Sequence, residues 1–594
     1  MVIPVQEVGR VYRQGDGGGE HINGSPNRAS SQGECLQRPS SIPSLRTKPS
    51  ISVLLTTGAT HFSFISASKM ANKDKSGKDQ AVVLRKFGIN ETYQLAMYLL
   101  DQYRSTVLSC RYVLPPRLAA ESRSQIEKVI KAAVVDTVLR HPMMQVGMID
   151  GTSKTPSWIQ LPSLDLAQLI HWVYLDGATD GKDFDQTVQD TFGLQLDERF
   201  PDLDTWATLP GWKLTIIRQA DAPTLEVMLA FNHPQFDGAG AKVWHEDFFD
   251  ALNAASANKG TYERVGLDGD ILTLPDEPPM LPAPLETLRS LPLDPKFFIK
   301  SLWEEFRPQF LNRFSRDATL ASWCPIRDTP YKTQFRAFFL DNASLSALLA
   351  VCRKNKTTIT GLLQGLSLVA FSLRLDAKSA PGFQSSTVVD HRRNLPDAPP
   401  NAPWGSSSKA VGNFVTQLLH RFETEAVSRI RSKLPPACDG STSIDLSAEL
   451  QDELWAVCAQ NRREIAAKVQ DGLRNDVVGL FQYVTDWKKT MSDMASRTRQ
   501  FSWLVTNVGV LDGAASPEHA APDDEGWRWS MERAQFGLSA EIPAAAIEIS
   551  PVSVKGKGMC VGADWPDNAV DAAFGLRIME DLERWMRQLA ALPL

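Results

Sequence analysis

The run from Leu225 to Phe231 constrains this chain more than any other segment, being apolar at Leu225, Val227, Leu229 and Phe231 and mostly apolar between. Such a run reads as a strand covered on both faces. It passes directly into Asn232-His233-Pro234-Gln235-Phe236-Asp237-Gly238, and after Gly238 and Gly240 a helical pattern begins with Trp244, Phe248 and Leu252 on one face. A strand, a polar loop and a helix in that order hold the loop's side chains at the end of a sheet. Two of those side chains are a histidine and a carboxylate four residues apart. Imidazole titrates near neutrality and can take a proton from a hydroxyl or amine as it attacks an activated carbonyl. The glycines imply unusual dihedrals or close backbone packing. The plainer reading of a lone histidine at a strand end, a hydrogen-bonded structural residue, stands beside the catalytic one.

The rest of the chain supplies a frame for that loop. Ser122 opens a helix with a capping-box pattern through Gln125, followed by Ile126, Val129, Ile130, Ala133 and Val134. Prolines crowd Leu274 to Pro295 and mark a crossing between halves, with a lobe boundary near residue 320. Beyond it the patterns predict a strand over 334–340, a helix over 344–354 and an apolar helix led in by Thr358. A strand over 386–389 then delivers Asp390-His391-Arg392-Arg393-Asn394. Helical patterns fill 446–499, three strand-like runs follow at 501–511, 527–538 and 546–562, and a helix over 576–592 closes the chain. Residues 1–69 are rich in Gly, Ser and Pro without periodicity and are expected to form a disordered extension, with Met70 an alternative start. Acidic Glu7, Asp16, Glu20 and Glu34 interrupt the basic character that a transit peptide needs.

Composition narrows the function classes. With 43% hydrophobic and 22% charged residues the bulk is globular, and a net charge of −6 without a Lys/Arg block offers no footprint for nucleic acid or an anionic membrane. No run of about 18 apolar residues exists to span a bilayer. The seven cysteines are odd in number, scattered and never spaced C-x-x-C, which argues against a disulfide framework or a zinc site and for a reducing, cytoplasmic compartment. G-x-S-x-G, G-x-x-x-x-G-K-[ST] and H-E-x-x-H are absent, so serine hydrolase, P-loop and zincin readings fall.

Around His233 and Asp237 the sequence resembles the HxxxD acyltransferases of the chloramphenicol-acetyltransferase-like fold. It is most similar to fungal O-acyltransferases of secondary metabolism such as trichothecene 15-O-acetyltransferase, and to alcohol acetyltransferases. Further matches are Glu91-Thr92-Tyr93-Gln94, His141-Pro142, Thr358-Ile359-Thr360-Gly361, Val389-Asp390-His391-Arg392, Gly412-Asn413 and Thr506-Asn507-Val508-Gly509, in the family's order over 82–594. The resemblance implies an α/β (α+β) protein of two lobes, 82–320 and 321–594, each a mixed sheet flanked by helices, with an active-site tunnel between them. It implies His233 as general base, transfer from acyl-CoA to a small-molecule alcohol, and no metal or bound prosthetic group. Asp237 would pair with Arg392 and hold the loop that Gly238 shapes. Thr506 or Asn507 are the candidates for contacting the developing oxyanion or the substrate; the other reading makes them turn residues. Lys555 and Lys557, in Val554-Lys555-Gly556-Lys557-Gly558 on a late strand, are candidates for the coenzyme A phosphates, or else solvated turn lysines. His245 and His391 read as structural.

Two departures favour a fungal O-acyltransferase over other branches. Condensation domains usually carry two consecutive histidines, and here Asn232 takes the first place; the D-F-G-W-G motif of plant relatives is missing. A monomer is expected. Two alternatives remain at this point: a condensation-type enzyme that takes its acyl group from a carrier protein, and a noncatalytic binding module of the same fold.

Overall fold

The computed structural model describes residues 81–175, 181–219, 222–257, 262–306, 317–327, 330–435, 443–513 and 525–592. The extension expected over 1–69, Met70, Cys35 and Cys438 lie outside them. The strands that matter to the site are, in chain order, β1 (Thr106–Val113), β2 (Ile170–Leu175), β3 (Trp212–Gln219), β4 (Thr224–Phe231), β5 (Thr333–Asp341), β6 (Phe383–Asp390), β7 (Val415–Phe422), β8 (Phe501–Val505), β9 (Gly509–Leu511), β10 (Ser530–Leu538), β11 (Ala545–Val554) and β12 (Gly558–Pro566). The main helices are α1 (Arg123–Arg140), α2 (Gly238–Ala257), α3 (Ile359–Arg374) and α4 (Ala572–Ala590).

Two mixed sheets result. The first has the order β10-β1-β4-β3-β2, with only β2 and β3 parallel. The second has the order β5-β12-β11-β8-β6-β7, and β9 adds to β11. The apolar run of β4 is explained by its two covers. Leu225, Val227, Leu229 and Phe231 join the core that holds Trp244, Phe248 and Leu252 of α2, while Met228 and Ala230 meet Phe184, Val188 and Phe192 on the opposite face. A strand inside such a sandwich has no side chain to spare for water. In the second lobe α3 and α4 cover one face of the sheet, with Leu362, Leu366, Ile578 and Trp585 packed on Trp503, Ile547, Ile549 and Val561.

Helix starts follow the side chains that satisfy their free N–H groups. Ser122 accepts from the Gln125 N–H at the head of α1 and Thr358 from Gly361 at the head of α3. Three details of the sequence reading change. The run 501–511 divides into β8 and β9, the run 546–562 is the hairpin β11–β12, and residues 530–538, from the second half of the chain, complete the first sheet by antiparallel pairing from Ser530 opposite Val113 to Leu538 opposite Thr106. The hairpin forms because Gly556 and Gly558 adopt φ of +73° and +146°, which the Lys-Gly-Lys-Gly segment permits and a run of branched residues would not. Cys110, Cys324, Cys352, Cys458 and Cys560 are buried free thiols. No helix among the described residues is long and apolar enough to cross a membrane.

Candidate active site

Phe231 closes β4 between Thr106 of β1 and Trp212 of β3, so the chain leaves the sheet at its centre. The exit is pinned at once. The Asn232 N–H donates to the Gly211 carbonyl at 2.8 Å, and the Gly211 N–H donates to Gln235 Oε1 at 3.1 Å. His233 therefore starts from a fixed backbone, and it is 8% exposed. Its ring meets Tyr103 edge-on, 5.7 Å between centroids. Asn413 Nδ2 donates to the His233 carbonyl oxygen at 3.1 Å and lies 3.2 Å from Nδ1. Among the described residues no hydrogen bond reaches the ring elsewhere, so Nε2 is the nitrogen left for a substrate. Burial lowers the histidine's pKa below 6.5 against the opposing pull of Asp237 and of its own carbonyl. At pH 7 the imidazole is neutral, the form a general base needs.

Asp237 is completely buried and fully occupied. Oδ1 accepts from Gly240 N–H at 2.8 Å and from Arg392 Nη2 at 2.8 Å; Oδ2 accepts from Phe414 N–H at 2.8 Å and from Arg392 Nη1 at 3.0 Å. The Gly240 bond makes Asp237 the N-cap of α2, with its charge at the positive end of the helix. Arg392 is equally engaged. Beyond Asp237 it donates to the carbonyls of Ala410 at 2.9 Å and Gly412 at 3.1 Å and to Asp390 at 3.0 Å, so all five guanidinium N–H groups have partners. This fork ties the first lobe to the loop that leaves β6 in the second. Gly238 serves by close approach: a Cβ there would lie 2.8 Å from the Phe536 ring and 3.5 Å from Val508.

The remaining candidates separate. Val508 brings the turn after β8 against Gly238, and Thr506 on that turn is buried, its N–H donating to the Ile549 carbonyl at 2.9 Å. Asn507 is exposed; its Nδ2 donates to Thr360 Oγ1 at 3.0 Å and its Oδ1 accepts from the Gly509 N–H at 2.9 Å, the geometry of a turn residue. Lys555 and Lys557 lie in the exposed turn of the β11–β12 hairpin and not on a strand. Lys555 pairs with Asp512 at 2.9 Å, and the Asp512 N–H donates to Glu246 of α2. His245 is locked between the Tyr112 hydroxyl at 2.8 Å and the Leu108 carbonyl at 3.0 Å, with its pKa lowered by burial to about 4.

Sequence reasoning passed over three groups. Asn413 was visible only as part of a Gly-Asn pair. Tyr103 sits in a stretch without periodicity. The third is a row of acids on the face of the second sheet that meets β10: Glu548 stands beside Asp564 in register, and the Leu538 N–H donates to Asp564 at 3.3 Å. Glu541 nearby accepts from the Tyr93 hydroxyl at 2.9 Å. Burial pushes all three carboxyls up, Glu541 to about 7. Among the described residues no group of His, Cys, Asp and Glu is arranged to hold a metal ion.

With this geometry in view, the alcohol acetyltransferase family model matches residues 186–428, a span that holds His233, Asp237, Arg392 and Asn413. Similar curated proteins include the probable alcohol acetyltransferase FCK4 of Fusarium pseudograminearum, 23% identical over 85% of this chain and 95% of that protein. Another is the probable alcohol acetyltransferase crmB of Aspergillus fumigatus, 22% identical over 84% of this chain and 98% of that protein. Among solved structures, TRI3 trichothecene 15-O-acetyltransferase from Fusarium sporotrichioides shares the fold with a TM-score of 0.58, at 14% identity over 85% of this chain and 94% of that one. The resemblance drawn from the sequence stands: the chain has the two-lobed fold of these enzymes and is an acyltransferase.

Proposed function

We propose that this O-acyltransferase moves an acyl group, acetyl in the first instance, from acyl-CoA to a hydroxyl of a hydrophobic secondary metabolite, with His233 as general base. The observation that carries the reading is the setting of the His233 ring: Asn413 lies at its Nδ1 side, no hydrogen bond among the described residues reaches Nε2, and burial lowers its pKa, which favours the neutral form. Nε2 removes the hydroxyl proton as the acceptor oxygen attacks the thioester carbonyl. The C–S bond then breaks, and the departing thiolate takes the proton back from the imidazolium. Asp237 has no lone pair free for this exchange, because four N–H groups occupy its two oxygens. Its work is positional: the fork to Arg392 fixes the loop on which His233 stands. Of the two residues considered for the oxyanion, Asn507 is engaged in its own turn, which favours Thr506.

The test is product mass spectrometry with the purified protein, acetyl-CoA and a panel of apolar alcohols, run beside His233→Ala. The reading expects an ester 42 mass units above the alcohol, stoichiometric release of coenzyme A thiol, and loss of both in the variant. Product formation only with an acylated carrier protein would reassign the donor, and near-normal turnover by the variant would remove the base.

A further inference from the structure

One row of the first sheet connects His233 to the buried acids of the second. β10 is the edge strand of the first sheet, and its Leu538 N–H donates to Asp564 of β12 at 3.3 Å. Leu538 stands opposite Thr106 of β1, and Thr106 stands opposite Phe231, the last residue of β4. His233 leaves the sheet two residues later. Tyr103 completes the connection, because its hydroxyl bonds to Thr106 and its ring meets the His233 ring. A shift of Asp564 therefore moves both the backbone and the ring that set the histidine.

Asp564 does not stand alone. Ile547 and Ile549 of β11 and Val561, Ala563 and Trp565 of β12 pack under α3 and α4, so Glu548 and Asp564 turn to the opposite face as a cross-strand pair. Such residues have Cβ atoms about 5 Å apart, within reach for two carboxyl groups. Leu504 of β8 and Phe335 of β5 close the row on either side and offer no polar side chain. Glu548 is 2% exposed and Asp564 0%. Among the described residues no donor reaches either oxygen of Glu548 or Oδ1 of Asp564. Ser550, next on the same face and itself buried, brings a single unpartnered hydroxyl to these three oxygens. The other titratable or charged groups around the pair are Glu541 after β10, Tyr93 on the helix Ile89–Leu99, Tyr103 before β1 and Arg499 before β8. Tyr93 gives its O–H to Glu541, Tyr103 bonds to Thr106, and Arg499 donates to the carbonyls of Cys324, Ala544 and Ala545; none of these bonds goes to the pair. Two carboxylates in that place repel each other without relief. One proton between them gives each a partner and leaves a single charge for Arg499 to balance. Burial raises the Glu548 carboxyl, with Asp564 and Glu541 adding to the rise and Arg499 opposing it, and burial raises Asp564 against the Leu538 N–H. We infer that Glu548 and Asp564 share one proton and act as a positioning pair, holding the Leu538–Thr106–Phe231 row and Tyr103 behind His233 until alkali removes that proton. The inference rests on the reading of His233 as base and adds a second group that governs its pH range.

Glu548→Gln tests it, because an amide N–H takes the place of the shared proton and does not leave as pH rises. The wild-type kcat is expected to fall about tenfold between about pH 7 and about pH 9.5. Glu548→Gln should stay within twofold over that range, with the acid limb set by His233 unmoved, and Glu548→Ala should be low throughout. Urea midpoints give a readout besides turnover. A carboxyl whose pKa is raised on folding contributes stability that is whole below its unfolded value of about 4 and is lost as pH rises through the folded one. The wild-type midpoint should therefore decline from about pH 5 to about pH 9 more steeply than that of Glu548→Gln. Asp564→Asn gives the same comparison if the first variant does not fold. An equal slope in wild type and variant overturns the shared proton. A flattened slope with an unchanged alkaline limb overturns the link to His233. A limb that moves with Glu541→Gln and not with Glu548→Gln assigns the switch to the neighbouring acid and overturns the pair. Repeating the unfolding series in His233→Ala keeps the two proposals apart: normal turnover by that variant sinks the base assignment, while its midpoints still decide whether the pair holds a proton.

Discussion

Each lobe places a histidine just past the end of an interior strand, and the two residues have opposite fates. His233 follows β4 and has no hydrogen bond at Nε2 among the described residues, with Asn413 near Nδ1 and the Tyr103 ring at its edge. His391 follows β6, is fully buried, and uses both nitrogens: Nε2 lies 2.7 Å from Thr416 Oγ1 and Nδ1 lies 3.1 Å from Asn394 Nδ2. Position in the fold does not make a base. A ring whose hydrogen-bonding capacity is spent inside the protein is a strut, and one with a nitrogen in reserve can exchange a proton. The acid and the cation are likewise divided, since the first loop supplies Asp237 and the second supplies Arg392, and the pair locks the lobes together across the site.

The widest separation between the two histidines is expected on substitution. His233→Ala should lower kcat by about 10² to 10⁴ with the melting temperature nearly unchanged, since a general base of this kind contributes that much. His391→Ala should leave kcat within a few-fold and cost about 1 to 3 kcal/mol of stability through the polar groups left unpaired. Parallel steady-state kinetics and urea unfolding measure both, and reversed behaviour would collapse the distinction. Next in size is the fork between the lobes. Arg392→Ala strands Asp237 as a buried, unpaired charge and should cost about 3 to 5 kcal/mol, read as loss of folded yield or a lower urea midpoint. Arg392→Lys keeps the charge without the five-donor geometry and should recover only part of it.

A smaller effect sharpens the contrast through pH. The lowered pKa of His233 places the acid limb of the kcat/KM profile below pH 6.5, with a flat region from there through neutrality. The same depression has a stability counterpart: the neutral ring's contribution is present above the unfolded value of 6.5 and is lost as pH falls below it toward the folded pKa. An acid limb at or above 6.5 would contradict the burial argument. The smallest effect concerns the hairpin turn. Lys555→Gln with Lys557→Gln should raise KM for acetyl-CoA a few-fold and acetyl-pantetheine less, because exposed cations on phosphate are worth little. Equal changes for the two donors would remove phosphate contact from these lysines.

The divide between the two histidines was partly legible in the sequence. His233 was singled out because an apolar strand announces itself and the Gly238 and Gly240 spacing marks the helix start. The Asp237 and Arg392 pairing came from resemblance, since nothing local links positions 155 residues apart. The free Nε2 of His233 was not legible, because it depends on where Asn413 and Tyr103 lie after folding, and the occupied Nε2 of His391 depends in the same way on Thr416. Nor were Glu548 and Asp564, which occupy strands that read as apolar and whose meeting depends on hairpin register. The lysine turn was legible only as one of two readings, because the strand-forming segments on either side, Ala545–Val554 and Gly558–Pro566, let the Lys-Gly-Lys-Gly run pass for part of one strand.

The crossing of β10 into the first sheet sets the order of assembly. β1 is made early in synthesis, yet the strand that covers its outer edge emerges more than 400 residues later. Until then that edge offers unpaired N–H and C=O groups to any passing chain. The first lobe is therefore expected to remain aggregation-prone through most of translation and to close late, by a contact of long sequence separation that forms slowly. A ribosome-released fragment ending before Ser530 should be recovered as aggregate, while one extended past Leu538 and supplied with the rest of the second sheet should become soluble. Expression yield of this acyltransferase is thus set by its last hundred residues as much as by the lobe that bears its histidine.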